Sequence, residues 1–201
     1  MKGKYLIAAA ALVVACLASA EAQAGPAMDV VKDKQSELFK IIEQPRTDAR
    51  QAKLKALFDE MLDYKRLAHA SLGKRWRDLD DEQQVEFSDL LERLVRKNYQ
   101  RNLTKMLGYD IRYVAEKEVG AGKVLVKTRA VSRSDQREEP IELDFKLKQK
   151  SGRWLVIDII PEGASLVRTY RSQFTRILKK DGYAALKRKM EKKLAKKLDD
   201  E

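Results

Sequence analysis

The hydrophobic period of this chain changes at Gly108. Upstream, apolar residues recur at the three- and four-residue spacing of amphipathic helices, and downstream they shift to the two-residue spacing of strands. Residues 110–118, 123–133, 139–149 and 153–160 read as four strands joined by Gly120-Ala121-Gly122, Ser134-Asp135-Gln136 and Ser151-Gly152. Connections this short leave no room for crossover helices, so the strands are expected to form an antiparallel meander. Ile141, Leu143, Phe145 and Leu147 alternate with Glu142, Asp144, Lys146 and Lys148, which predicts one dry and one wet face. In the second strand, Val124 and Val126 oppose Leu125 and Val131 in the same way.

The helical part is equally segmented. Residues 28–44 place Val30, Val31, Leu38, Ile41 and Ile42 among charges, and Pro45 closes the segment. Thr47 can cap a second helix with the stripe Leu54, Leu57, Phe58, Met61 and Leu62. Asp80 with Gln83 makes a capping box for a long third helix carrying Val85, Leu90, Leu91, Leu94, Val95, Leu103, Met106 and Leu107, which Gly108 ends. After the strands, residues 165–179 and 182–198 return to helical spacing. Helices segregated around one antiparallel sheet define an α+β fold, a twisted sheet of about four strands packed with several helices. Facing aliphatic surfaces of this kind either close into a dry core or stay apart around an apolar cleft, and the residues permit both.

The passage from the last strand to the helix after it is the most distinctive stretch. Trp154 to Ile160 is apolar almost without alternation, as in a strand covered on both faces. Pro161 and Gly163 end it, and Leu166, Val167, Tyr170, Phe174, Ile177 and Leu178 then recur at helical spacing. The pattern carried by Trp154, Val156, Asp158, Glu162, Gly163, Ser165, Tyr170, Arg171, Ser172 and Phe174 resembles the MlaC, or toluene-tolerance, family of periplasmic lipid carriers. A second block, with Leu72, Gly73, Trp76, Gln83, Phe87 and Tyr99, is similar to the family's Leu-Gly-x-x-Trp segment and following helix. The two blocks fall in the family's order, and the resemblance covers roughly residues 29 to 190. Pro161 departs from the pattern where the family tends to have a backbone donor, which predicts a strand edge or bulge there.

The resemblance implies a pocket between sheet and helices that holds the acyl chains of a phospholipid, with the headgroup near the mouth. It also implies a carrier working between an inner-membrane ABC-type lipid transport complex and an outer-membrane lipoprotein complex, maintaining outer-membrane lipid asymmetry. Leu91, Val95, Tyr99, Val126, Leu143, Phe145, Val156, Leu166, Tyr170 and Phe174 match its apolar elements and are the candidate lipid-binding residues. The same ten would also make an ordinary core, and Trp76, Trp154 and Tyr170 could be its pillars. The need for a carrier follows from magnitude. At about 0.8 kcal/mol per methylene, two acyl chains of roughly 30 carbons cost of order 20 kcal/mol to expose to water.

The N-terminus fits an exported protein. Lys2 and Lys4 precede an apolar run from Tyr5 to Ala20, and Ala22-Gln23-Ala24 supplies a small-residue cleavage site, so residues 1–24 read as a signal peptide. Val13-Val14-Ala15-Cys16 also resembles a lipoprotein box, which would leave the protein anchored at Cys16. Leu17 and the later site favour the soluble periplasmic form, which carries no cysteine. Residues 25–201 are then expected to form a single lipid-binding domain with a basic C-terminal helix. The formal net charge of +11 favours anionic partners, and export argues against nucleic acid. Ten Lys or Arg lie between Arg176 and Lys197, beside the apolar line Tyr183, Leu186, Met190, Leu194 and Leu198. That helix either packs its stripe on the domain or docks on an anionic membrane surface through Lys192, Lys193, Lys196 and Lys197.

Catalytic signatures are missing from the chain. It has no phosphate-binding loop, no G-x-S-x-G elbow and no Cys or His metal cluster, so neither cofactor nor metal is expected. His69, the one histidine, falls in a helical segment with Leu67, Ala68 and Leu72. Asp158 and Glu162 could be mistaken for an acid and base pair, but their place at a strand end suits bonds to turn amides or arginines. Two rivals to the phospholipid carrier remain: a carrier of a hopanoid-like polycyclic lipid, and a small pocket enzyme using Asp158 or His69.

Overall fold

The computed structural model describes residues 25–196. The expected signal peptide, Cys16, and Lys197 with Leu198 of the basic tail lie outside the described residues. Helix α1 (Pro26–Ile42) begins on a proline, whose missing N–H costs nothing at that position. Its first turn is fastened to the sheet by Glu116, which accepts the Met28 N–H at 2.7 Å. Thr47 caps α2 (Asp48–Met61), and Asp63 caps the short α3 (Tyr64–Leu72), which continues into a 3-10 turn, Gly73–Asp78. The Asp80–Gln83 capping box opens α4 (Asp81–Met106). The chain then enters the strands β1 (Tyr109–Glu118), β2 (Lys123–Ser132), β3 (Ile141–Lys150) and β4 (Arg153–Pro161), paired antiparallel in the order β1-β2-β3-β4. Helix α5 (Leu166–Ala195) closes the described chain.

The pairing is interrupted on all three seams. Between β1 and β2 the register slips from Tyr113 to Ala115, leaving Val114 out. Between β2 and β3 the ladder skips from Val126–Phe145 to Arg129–Glu142. There the Thr128 N–H turns to the Asp144 carboxylate at 3.2 Å, and its hydroxyl bonds the Leu143 carbonyl. Between β3 and β4 it slips after Lys146, leaving Ile157 out. Bulges bend a strand and increase its twist. The register shifts on the β1–β2 and β3–β4 seams also exchange which residues face inward, so β4 puts Val156 in the core before its bulge and Ile159 there after it.

Several details differ from the sequence expectation. Val85 stands 72% exposed on the second turn of α4, although it shares the helical spacing of the buried stripe. Asp144, expected on the wet face, is 8% exposed because it repairs the broken ladder at Thr128. As expected, two C-terminal helices are present: they form the two arms of α5, separated by a kink at Gly182, whose φ of 73° lies outside the helical region. Pro161 lies at the end of edge strand β4, paired with Leu143. Burial runs unbroken from Leu155 to Ile159, as expected for a strand covered on both faces.

The second arm of α5 packs its stripe onto the domain. Ala185, Leu186 and Met190 are buried, the Tyr183 hydroxyl reaches Gln83 O (3.1 Å) and the Glu86 carboxylate (2.9 Å), and Lys187 pairs with Glu86. Lys97 of α4 donates to the carbonyls of Lys193 (2.9 Å) and Leu194 (3.3 Å), which the end of the helix would otherwise leave unpaired. Among the described residues no helix is long and apolar enough to cross a membrane.

Candidate functional site: an apolar cavity between sheet and helices

At one end the sheet and helices do not close on each other. A cavity of about 290 Å³ remains, and each element reaches it by its own periodicity. Helix α4 contributes Val95, Asn98, Tyr99, Arg101, Asn102, Leu103 and Met106, mostly one face at three- and four-residue spacing. Helix α1 gives Gln35 and Phe39, and α5 gives Leu166 and Tyr170, each pair four residues apart. The strands give Ile111 from β1, Ile141 and Leu143 from β3, and Ile159 and Pro161 from β4, alternate residues on one face. Gln35, Val95, Tyr99, Leu103 and Ile159 are buried and form the deep wall, whereas Asn102 is exposed and Arg101 and Met106 half-buried on the solvent side.

Polar groups in the wall are held by one another. Asn98 donates to the Tyr170 hydroxyl at 3.0 Å, and the Tyr113 hydroxyl donates to Gln35 Oε1 at 2.8 Å. Tyr99 is fully buried with its ring edge-on to Phe58 at 5.2 Å, and its hydroxyl lies by the Gln35 amide without a hydrogen bond of ordinary geometry. Burial pushes the phenol of Tyr113 up to about 12 and raises those of Tyr99 and Tyr170 as well. All three stay protonated at any physiological pH, so none can serve as a general base. Tyr170 stacks on Phe174 (5.2 Å, 4°), Phe174 meets Phe87 edge-on (5.5 Å), Phe87 meets Trp76 (6.3 Å) and Trp76 meets His69 (5.6 Å). This aromatic row runs from the cavity wall to the surface.

Of the ten candidate residues, Val95, Tyr99, Leu143, Leu166 and Tyr170 line the cavity. Leu91, Val126, Phe145, Val156 and Phe174 sit in the packed interior instead. Trp76 and Trp154 are half-buried against that core and do not line the cavity. Neither Asp158 nor His69 lines it either. The Asp158 carboxylate accepts the Ser165 hydroxyl at 2.5 Å and the Val167 N–H at 3.1 Å, and so fastens the start of α5. Glu162 accepts the Glu142 N–H at 2.6 Å. Sequence reasoning missed Gln35, Phe39, Asn98, Arg101, Asn102, Leu103, Met106, Ile111, Ile141, Ile159 and Pro161 as wall residues. Stepping three and four residues on from Tyr99, and two back from Leu143, would have found Asn102, Leu103 and Ile141; nothing in the sequence marks Gln35. Among the described residues no cluster of His, Cys, Asp or Glu is placed to hold a metal ion.

An open antiparallel sheet covered by helices around a mainly apolar cavity defines the class: an α+β protein with an internal apolar pocket. Comparison with known proteins places it more narrowly. The chain belongs to the MlaC family, whose model, described as MlaC protein, matches residues 32–192. Among curated proteins it is similar to the intermembrane phospholipid transport system binding protein MlaC of Haemophilus influenzae, 28% identical over 138 residues. That match takes in 66% of this chain and spans 64% of the length of the relative. Among solved structures, the phospholipid-binding protein from Ralstonia solanacearum in complex with a phospholipid has a TM-score of 0.70 at 24% identity, covering 85% of this chain and 98% of that one. At that identity the likeness is one of fold.

Proposed function

We propose that this protein is a phospholipid carrier, taking acyl chains into the cavity between sheet and helices and transferring them without making or breaking bonds. The observation that carries the reading is the wall itself: apolar residues from six elements around a space with no carboxylate or histidine, and half-buried Arg101 beside exposed Asn102. The names of the Haemophilus and Ralstonia relatives support phospholipid as the cargo. The cavity is at the small end of the roughly 300–1,000 Å³ usual for ligand sites, so a two-chain lipid must part the helices from the sheet as it enters. Arg101 then lies where it can meet a headgroup phosphate.

The rest of the reading follows from the family. Residues 1–24 would direct export and be removed, and residues 25–201 would work in the periplasm, exchanging lipid with an inner-membrane ABC-type complex and an outer-membrane lipoprotein complex and so sustaining outer-membrane lipid asymmetry. Val95, Tyr99, Leu143, Leu166 and Tyr170 are the expected cargo contacts, with Leu91, Val126, Phe145, Val156 and Phe174 supporting them from behind. Native mass spectrometry of protein purified without detergent, followed by lipid extraction, tests this. One bound phospholipid per chain is expected; a polycyclic lipid would transfer the reading to that cargo. An empty protein that also refuses phospholipid from vesicles would overturn it.

A further inference from the structure

A second concavity, of about 790 Å³, opens between α3, the β3–β4 hairpin and α5, and shares no lining residue with the cavity. Its charged wall consists of Asp63, Lys65, Arg66, Lys148, Lys150 and Arg171. The one carboxylate is already engaged: Asp63 pairs with Lys150 at 3.3 Å and accepts the Arg66 N–H at 3.1 Å as the cap of α3. Among the described residues, no carboxylate lies within ion-pair distance of Lys65, Arg66, Lys148 or Arg171.

Arg171 is also held in place. Its Nε donates to the Ala70 carbonyl at 2.8 Å, which leaves the other guanidinium N–H groups for a ligand. It lies against Gly73, where a side-chain carbon would come within 3.3 Å of Nε and where φ is +57°. Glycine at that turn thus makes room for the guanidinium, whose planar fork suits a carboxylate bound through both oxygens.

From this geometry we infer that the groove is a docking site for an acidic segment of a partner protein, its carboxylates meeting Lys65, Arg66, Lys148 and Arg171. The shape favours a chain over a bilayer: the cations line a hollow walled by three elements, which an extended or helical segment can enter and a flat headgroup surface would touch only at the rims. Helix α5 lends Leu166 and Tyr170 to the cavity and Arg171 to the groove, so the partner would grip the helix that walls the cargo site.

The test uses the native protein and a fluorescent decaglutamate peptide, read by anisotropy at low and moderate salt. Binding is expected, weakening as salt rises. The variant Lys65→Gln/Arg66→Gln/Lys148→Gln should bind at least tenfold more weakly, and Arg171→Lys, which keeps the charge and loses the fork, severalfold more weakly. The control Lys189→Gln/Lys192→Gln/Lys193→Gln, altered on the solvent-facing side of the second arm of α5, should stay within twofold of native. Thermal melts and phospholipid uptake should be unchanged in the first triple variant, which separates failure of the groove from failure of the cavity. Equal losses in both triple variants would reduce the effect to net charge and overturn the assignment. So would absence of peptide binding, or groove-dependent sedimentation with phosphatidylglycerol vesicles in place of it.

Discussion

The layer between sheet and helices has two ends made of the same kinds of residue. At one, Val126, Phe145, Leu147 and Val156 share the core cluster with Leu54, Phe58 and Met61, all at most 4% exposed. At the other, Ile141, Leu143, Ile159 and Pro161 face Val95, Leu103, Met106 and Leu166 across open space. Strand β3 passes from one to the other without any change of pattern, since Leu143 lines the cavity while Phe145 and Leu147, two and four residues on, are fully buried. The interruptions at Val114, Thr128 and Ile157 lie between these regions. The same residue types therefore line the open end and fill the closed one, and interruptions in the strand pairing mark the boundary between them.

The comparison breaks if the two ends respond alike to truncation. Phe145→Ala at the packed end should cost about 3–5 kcal/mol of unfolding free energy. Leu143→Ala enlarges a space that already exists, and should fall at or below the low end of the Leu→Ala range, about 2 kcal/mol. Urea unfolding of both variants, free of lipid, measures the difference, and equal costs would make Leu143 ordinary core. Filling the space instead of emptying it sharpens the contrast. Leu143→Trp should reduce phospholipid uptake from vesicles at least tenfold, about 1.4 kcal/mol, and leave the melting temperature close to native. In a packed site the same enlargement would cost about 1–3 kcal/mol of stability.

Asp158 offers a smaller effect that separates fold from chemistry. Its carboxylate holds Ser165 and the Val167 N–H at the start of α5, so Asp158→Asn should lower stability by roughly 1–2 kcal/mol through weakened bonds to the helix start. Lipid uptake should persist at temperatures where the variant is folded. Loss of uptake with stability intact would favour the enzyme-like rival, in which Asp158 acts on the ligand.

These contrasts also show what could be read from the sequence. The four strands, their order, the caps at Thr47 and Asp80 and the break near Gly182 all follow from local patterns, because each depends on residues within a few positions of one another. The division of the ten apolar candidates between wall and core does not. Leu143 and Phe145 have the same neighbours in kind, and only long-range pairing across three interrupted seams separates them. Gln35 is hidden for a similar reason: a polar residue on a helix reads as solvent-facing until Tyr113, far away in sequence, is seen to bond it. The groove lay between these cases. Its arginines and lysines are plain in the sequence, but attention falls on the denser cluster at the C-terminus, much of whose cationic face simply borders the packed arm of α5.

The mildest test concerns the interrupted pairing between β2 and β3, the crease between the two ends. Burial holds the Asp144 carboxyl above its usual range, opposed in part by the Thr128 N–H and the charge of Lys127. A native state that binds its proton more tightly than the unfolded chain gains stability as pH falls through the raised value, completes that gain near the ordinary aspartate value of about 3.9, and loses it as pH rises again. Asp144→Asn keeps an oxygen for the Thr128 N–H and removes the charge. At pH 7 the variant should therefore melt slightly higher than the native protein, by a degree or two at most on the scale of about 2–4 °C per kcal/mol. The two should converge as pH falls toward 4. A gap that widens on acidification would mean that the ionised carboxylate is what holds the interrupted ladder together, and that the crease between the two ends is fastened by charge and not merely tolerant of it.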